Sequence, residues 1–205
     1  MQPFGIILAG GQARRMGGGD KGRLLIDGQS LIARVVERFG PQIAELALNA
    51  NGDPERYADL NLPILGDSIE GFPGPLAGVL AGLDWAAGLG ASHIVTAAAD
   101  TPFLPEDLVP QLLLAAESNG TPIALAATRD PDGRLLRHPT FGLWPTNLRD
   151  DLRQALADGL RKVVLWTDRH GAASAEFPAH PFDPFFNVNT PEDLERANEL
   201  AGAGE

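Results

Sequence analysis

Apolar residues fall along this chain in two kinds of pattern, short continuous runs and helix-spaced sets, and the two alternate. The runs at 4–8, 43–48, 62–65, 94–99 and 123–127, with a further stretch over 134–144, have the length and content of buried strands. Between them, Ile32, Val35, Val36 and Phe39 lie at helical spacing behind Ser30, a residue suited to cap a helix, and Gly40-Pro41 ends the pattern. Leu76, Val79, Leu80 and Leu83 make a second helical face, with Pro75 where a first turn starts. Leu108, Leu112 and Ala115 make a third behind Pro105-Glu106-Asp107. Further helices are predicted near 148–156 and 162–168. Thr190-Pro191-Glu192-Asp193 opens the last one, with a cap, a first-turn proline and acids against the positive end of the dipole. This alternation predicts a three-layer α/β fold, a mostly parallel sheet with helices on both faces.

Ligands of such sheets bind beyond the carboxyl ends of the strands. Gly10, Asn49, Asp67 and Asp100 each follow a predicted strand, so the fold is expected to bring them to one rim. Asp100 ends an apolar strand and precedes Thr101-Pro102, a turn that holds its carboxylate at the sheet edge. Spacing alone fits a metal ligand and an ordinary turn aspartate equally.

The loop after the first strand reads LAGGQARRMGGGDK over residues 8–21, and residues 10–22 hold six of the 24 glycines. Glycine lets backbone N–H groups approach an anion, and Arg14, Arg15, Lys21 and Arg23 supply positive charge, so the loop is read as a nucleotide-phosphate site. Gly17, Gly19 and Gly22 formally satisfy G-x-G-x-x-G. That fingerprint should open a helix directly after the strand, whereas these glycines lead into an extended stretch at 23–28. A P-loop needs Gly-Lys-Ser/Thr, but Lys21 stands between Asp20 and Gly22.

Composition narrows the partners. The chain has 205 residues, 44% hydrophobic and 21% charged, enough for one sizeable core, and no linker-like stretch divides it. Sixteen basic against 27 acidic side chains leave a net charge of −11, a field that repels nucleic acid; the basic loop inverts that sign locally and suits a small anion. No apolar stretch reaches 18 residues, and a strand begins within a few positions of Met1, so neither a membrane span nor a signal peptide is expected and the cytoplasm is the expected location. Without cysteine there is no thiolate metal site and no cysteine nucleophile.

The loop resembles the signature L-A-G-G-x-x-x-R-M-G-G-x-D-K of the molybdenum cofactor guanylyltransferases. Asn49-Ala50-Asn51, Gly74-Pro75-Leu76-Ala77-Gly78, Asp100-Thr101-Pro102-Phe103, His138-Pro139-Thr140 and Asn187-Val188-Asn189-Thr190-Pro191 follow in the order that this resemblance implies, over nearly the whole chain. The resemblance implies a Rossmann-like nucleotidyltransferase fold in a single domain, 1–205, with a nucleotide-binding part over about 1–105 and an acceptor-binding part over about 106–200.

It further implies Mg²⁺-dependent transfer of GMP from GTP to the phosphate of molybdopterin or molybdenum cofactor, with release of pyrophosphate. Arg15, Lys21 and Asp100 are then the catalytic candidates, with Arg15 on the leaving pyrophosphate, Lys21 on the phosphates and Asp100 on the metal. Leu8, Ala9, Gly10, Asn49 and Asp67 match positions that hold the nucleoside, with Asp67 either accepting from guanine N–H groups or serving as a surface-turn aspartate. Asn187 and Asn189 stay open between a second metal ligand, a pterin contact and a turn role. Molybdoenzyme-specific chaperones are the further partners implied. His138 is read as acceptor-pocket or structural, and Trp85, Trp144 and Trp166 as core or interface residues. A cytidylyltransferase, a small-phosphate nucleotidyltransferase and a non-catalytic nucleotide sensor are the rival readings. Gly10-Gly11 after a single alanine favours guanylyl transfer.

Overall fold

The computed structural model describes residues 2–10, 21–69, 71 and 74–202. Seven strands form one sheet in the order β5-β4-β1-β6-β8-β7-β9, where β1 is Phe4–Leu8, β4 Leu46–Asn49, β5 Ile64–Leu65, β6 His93–Ala98, β7 Ile123–Arg129, β8 Leu135–Pro145 and β9 Ala172–Glu176. Every pairing is parallel except those of β8 with β6 and β7, so β8 runs against the rest. A two-stranded hairpin, β2 (Leu25–Ile26) with β3 (Gln29–Ser30), stands apart from the sheet.

Side chains alternate across the sheet with the period of the pleat. Ile7, Leu48 and Val95 face the layer formed by α1 (Leu31–Phe39) and α3 (Leu108–Asn119). Ile6, Ala47 and Ile94 face α2 (Pro75–Gly88), α4 (Arg149–Ala157) and α5 (Val163–His170). The last helix, α6 (Pro191–Gly202), packs through Ala197 in a separate cluster with Ile26 of the hairpin, Leu31 at the start of α1 and Val188. Ser30 caps α1 as its sequence predicts: in extended conformation, its Oγ accepts from Ala33 N at 3.3 Å. On α3, Leu108, Leu112 and Ala116 are buried, and Ala115 is partly buried against the same core. Trp144 and Trp166 are buried and stack at 6.1 Å, and Trp85 lies against Phe4.

Strand β9 has no counterpart in the sequence reading. Its residues, AASAE, are alanine-rich and have weak strand preference. It forms because β7, an apolar strand, offers a complete parallel register from Ile123↔Ala172 to Ala127↔Glu176.

Candidate active site

The described candidate residues meet where β1, β4, β5 and β6 end. Lys21 lies in a short 3-10 turn, Lys21–Arg23, and its Nζ donates to Asn189 Oδ1 at 2.8 Å. Asn189 is held in turn by the start of α6: Asp193 Oδ2 accepts from the backbone N of both Asn189 and Thr190 at 2.9 Å, and Thr190 Oγ1 accepts from Asp193 N at 3.2 Å. Two residues earlier, Asn187 Oδ1 accepts from Thr101 Oγ1 at 2.5 Å, and Val188 N donates to Asp100 O at 2.9 Å. The segment before α6 is thereby fastened alongside Asp100 and Lys21. Both asparagines left open by the sequence sit at this centre.

Asp100 is half-buried. Burial raises its carboxyl above the usual range, while the charge of Lys21 and a backbone hydrogen bond pull it back. The donor set fits Mg²⁺, which takes one or two carboxylates and leaves its other positions to phosphate oxygens and water. Asp100 is the carboxylate that would hold it, and the amide oxygens of Asn187 and Asn189 are neutral donors nearby. Among the described residues no group of three or more acidic, histidine or cysteine side chains gathers to cage an ion.

On the β5 side, Asp67 is the hub of an amide network. Its Oδ1 accepts from Asn49 Nδ2 at 3.0 Å and its Oδ2 from Asn51 Nδ2 at 2.7 Å, while its own N donates to Asn51 Oδ1 at 2.9 Å. Asn49 is 3% exposed and also donates to Leu65 O at 3.1 Å. Asn51, the last residue of the Asn49-Ala50-Asn51 motif, is thus a member of the site, although its sequence position carries no signal of that role. Gly78 explains the glycine in that stretch of α2: a Cβ there would overlap Asn49 Oδ1 and lie 2.7 Å from Leu8 Cδ2. Of the backbone groups of Leu8 and Ala9, the Leu8 carbonyl accepts from Ala99 N at 3.1 Å and the Ala9 amide donates to Asn49 O at 2.9 Å. Gly10 follows them, with Asn49 Oδ1 as its nearest neighbour at 3.9 Å from an added Cβ.

On the β8 side the ladder breaks. Pairing with β7 jumps from Leu125↔Gly142 to Ala126↔His138, so Pro139, Thr140 and Phe141 have no partner there. Pro139 cannot donate to a ladder, which suits it to this bulge. Thr96 fixes the bulge from inside: its Oγ1 donates to Thr140 O at 2.8 Å and accepts from Trp144 Nε1 at 2.9 Å. His138 Nε2 is 2.8 Å from Thr128 Oγ1, and its ring stacks on Phe185 at 4.5 Å. Burial lowers its pKa, and the nearby Asp183 charge opposes that.

Arg23, counted with the basic loop in sequence, turns away from this centre. It forms a two-pronged bond to Asp59 at 2.6 and 2.7 Å, donates to Arg56 O and lies over the Tyr57 ring at 5.3 Å. Arg15, with Arg14 and the loop glycines 11 and 17–19, lies outside the described residues.

Comparison with known proteins gives one consistent result. The family described as MobA-like NTP transferase domain matches residues 5–172. A Mesorhizobium japonicum protein named molybdenum cofactor guanylyltransferase is 53% identical over 201 residues, covering 96% of this chain and 94% of its own length. A protein of the same name from Rhodopseudomonas palustris is 53% identical over 199 residues, 96% of this chain and 92% of its own. Among solved structures, the molybdopterin-guanine dinucleotide biosynthesis protein A of Archaeoglobus fulgidus superposes with a TM-score of 0.74 at 25% identity, covering 98% of this chain and 99% of that one.

Proposed function

Because the chain belongs to the MobA-like NTP transferase family and is a nucleotidyltransferase of the molybdenum cofactor guanylyltransferase type, we propose that it transfers GMP from GTP to the phosphate of molybdopterin or molybdenum cofactor. An oxygen of the acceptor phosphate attacks the α-phosphorus, the bond from that phosphorus to the bridging oxygen breaks, and pyrophosphate leaves. A phosphate monoester is already ionised at neutral pH, so no side chain has to remove a proton. The chain's work is to align the two phosphates in line and to neutralise the charge that develops on the leaving group.

The observation that carries this reading is the meeting of Lys21, Asp100 and Asn189 on the sheet rim. Lys21, positioned by Asn189, contacts the triphosphate, and Arg15 takes the leaving pyrophosphate. Asp100 holds Mg²⁺, which when bound supplies charge neutralisation at the phosphates. The network of Asp67, Asn49 and Asn51 holds the nucleoside, with Asp67 accepting from guanine. Residues from about 106 onward supply the acceptor side. Molybdoenzyme-specific chaperones in the cytoplasm would receive the product.

The test is pyrophosphate release with Mg²⁺ and molybdopterin, comparing GTP with CTP and wild type with Asp100→Ala. Release from GTP alone, lost in the variant, is the expected result. Release from CTP would move the chain to cytidylyl transfer, and nucleotide binding without any release would return the sensor reading.

A further inference from the structure

The strand order puts Asp67 and the β8 bulge on opposite sides of Asp100. Asp67 follows β5 at one edge of the sheet, Asp100 follows β6 at its centre, and the bulged β8 with His138 lies beyond β6 on the other side. A second aspartate, Asp183, lies two residues before Phe185, whose ring packs on His138 and Phe141 of that bulge. Asp183 Oδ1 accepts from Phe185 N at 2.9 Å, and Asp183 O accepts from Phe186 N at 3.1 Å, a tight turn that presents Phe185 to the His138 ring. Phe185 is locked there by Phe141 at 4.8 Å and Phe177 at 5.3 Å, and His138 by Thr128, so the turn cannot drift. The second carboxylate oxygen of Asp183 has no protein partner among the described residues. The effect of burial on the His138 imidazole is opposed by the charge of Asp183. Beside it, Phe182 meets Phe103 edge-on at 5.3 Å, and Phe103 belongs to the loop that leaves Asp100.

Five residues on from Asp183, Val188 N is bonded to Asp100 O. A chain of that length spans at most about 17 Å, so Asp183 stands within one small-molecule length of the phosphate centre. Guanine and a pterin share one recognition edge, a ring N–H beside an exocyclic 2-amino group, and a carboxylate pairs with that edge through two parallel charge-assisted bonds. A rim that joins a guanine nucleotide to a pterin phosphate needs such a reader at each end.

We propose that Asp183, held in the turn that seats Phe185 on His138, is the residue that recognises the acceptor, its carboxylate taking the N–H and 2-amino group of the pterin ring. Asp67 serves the same edge of guanine at the opposite end. This inference rests on the guanylyl-transfer reading and specifies which residue selects its acceptor.

Asp183→Asn isolates the recognition. Its side-chain oxygen still accepts from Phe185 N, while the charge is gone and the second oxygen becomes a donor that meets the pterin's own donors. Initial rates of pyrophosphate release are measured against molybdopterin at fixed GTP and against GTP at fixed molybdopterin, with the melting temperature of both proteins. The expected result is a rise of about ten- to hundredfold in KM for molybdopterin, with KM for GTP and the melting temperature held. An unchanged KM for molybdopterin overturns the inference. So does a rise in KM for GTP alone, which would give Asp183 to guanine, and so does a parallel rise in both with a lower melting temperature, which would make the turn merely structural. Failure of the wild-type chain to turn over GTP with molybdopterin defeats the guanylyl reading itself, and is seen before any variant is made.

Discussion

Lys21 Nζ and Asn189 Oδ1 are 2.8 Å apart although 168 residues separate them in the chain. The bond ties the turn after the glycine-rich loop to the segment before α6, and that segment is bonded in turn to Asp100 and Thr101. A lysine ammonium on a four-carbon stem has three donors and much rotamer freedom. Fixing one donor on Asn189 reduces the ordering cost when the other two meet a phosphate.

Lys21→Ala should therefore remove charge-assisted bonds to the triphosphate at a cost of about 1.5–3 kcal/mol, seen as a fall of about ten- to hundredfold in kcat/KM for GTP. Asn189→Ala leaves the charge but frees the side chain, so its effect should be the smaller of the two. Single-substrate titrations of GTP at saturating acceptor decide this, and equal losses in both variants would mean that Asn189 touches substrate itself.

Gly78→Ala sets two effects against each other. Alanine in a helix interior is favoured over glycine by about 0.8–1 kcal/mol. Here the new methyl would overlap Asn49 Oδ1 and crowd Leu8, and Asn49 is pinned by Leu65 O and Asp67, so the strain of about 1–3 kcal/mol for an overfilled core prevails. The variant should melt below wild type and bind GTP more weakly. A higher melting temperature would show that Asn49 can move aside freely.

The extent to which this arrangement is legible in the sequence follows the range of the interactions. Ser30, β1 and the α2 start are set by neighbours within a few residues, and each stands where the apolar pattern puts it. Asp100 and Asp67 reach the rim because strands position their own ends. What the chain does not reveal locally is contact made on return: Asn189 meeting Lys21, Arg23 meeting Asp59, the bulge that lifts Pro139–Phe141, and β9, whose alanines pair only because β7 is waiting. The roles of Asn187 and Asn189 stay open in sequence for that reason.

Two histidines make stability depend on pH. Burial lowers the pKa of His93, and burial, opposed by Asp183, lowers that of His138, from an ordinary value of 6.5. A base whose folded pKa is depressed binds its proton more readily when unfolded, so stability is retained above pH 6.5 and declines as pH falls below it. Asp59, Asp150 and Asp151, all held below 3.8, act only in stronger acid, and Asp100, raised by burial, opposes the histidines by gaining stability as pH falls. The urea midpoint should drop between pH 7.5 and 5.5, and His93→Gln should drop less; parallel profiles for the two proteins would show that the His93 imidazole titrates alike folded and unfolded.

Asp84 on α2 is expected to act on the nucleotide end without touching it. Its Oδ2 accepts from Ser68 Oγ at 2.6 Å and its Oδ1 from Arg153 Nη2 at 2.6 Å, with Arg149 Nε at 3.7 Å, so the residue following Asp67 is clamped to two helices. Asp84 and Arg153 keep 29% and 41% of their side-chain surface in solvent, and ion pairs so exposed contribute only about 0–1 kcal/mol. Loss of the clamp should thus show less in melting than in substrate binding. Ser68→Ala removes only the bond to the loop, whereas Asp84→Ala removes the bonds to the helix as well. Both should raise KM for GTP several-fold and leave KM for the acceptor where it was. If Asp84→Ala raises KM for GTP and Ser68→Ala does not, the aspartate acts through α4 and has no part in placing Asp67.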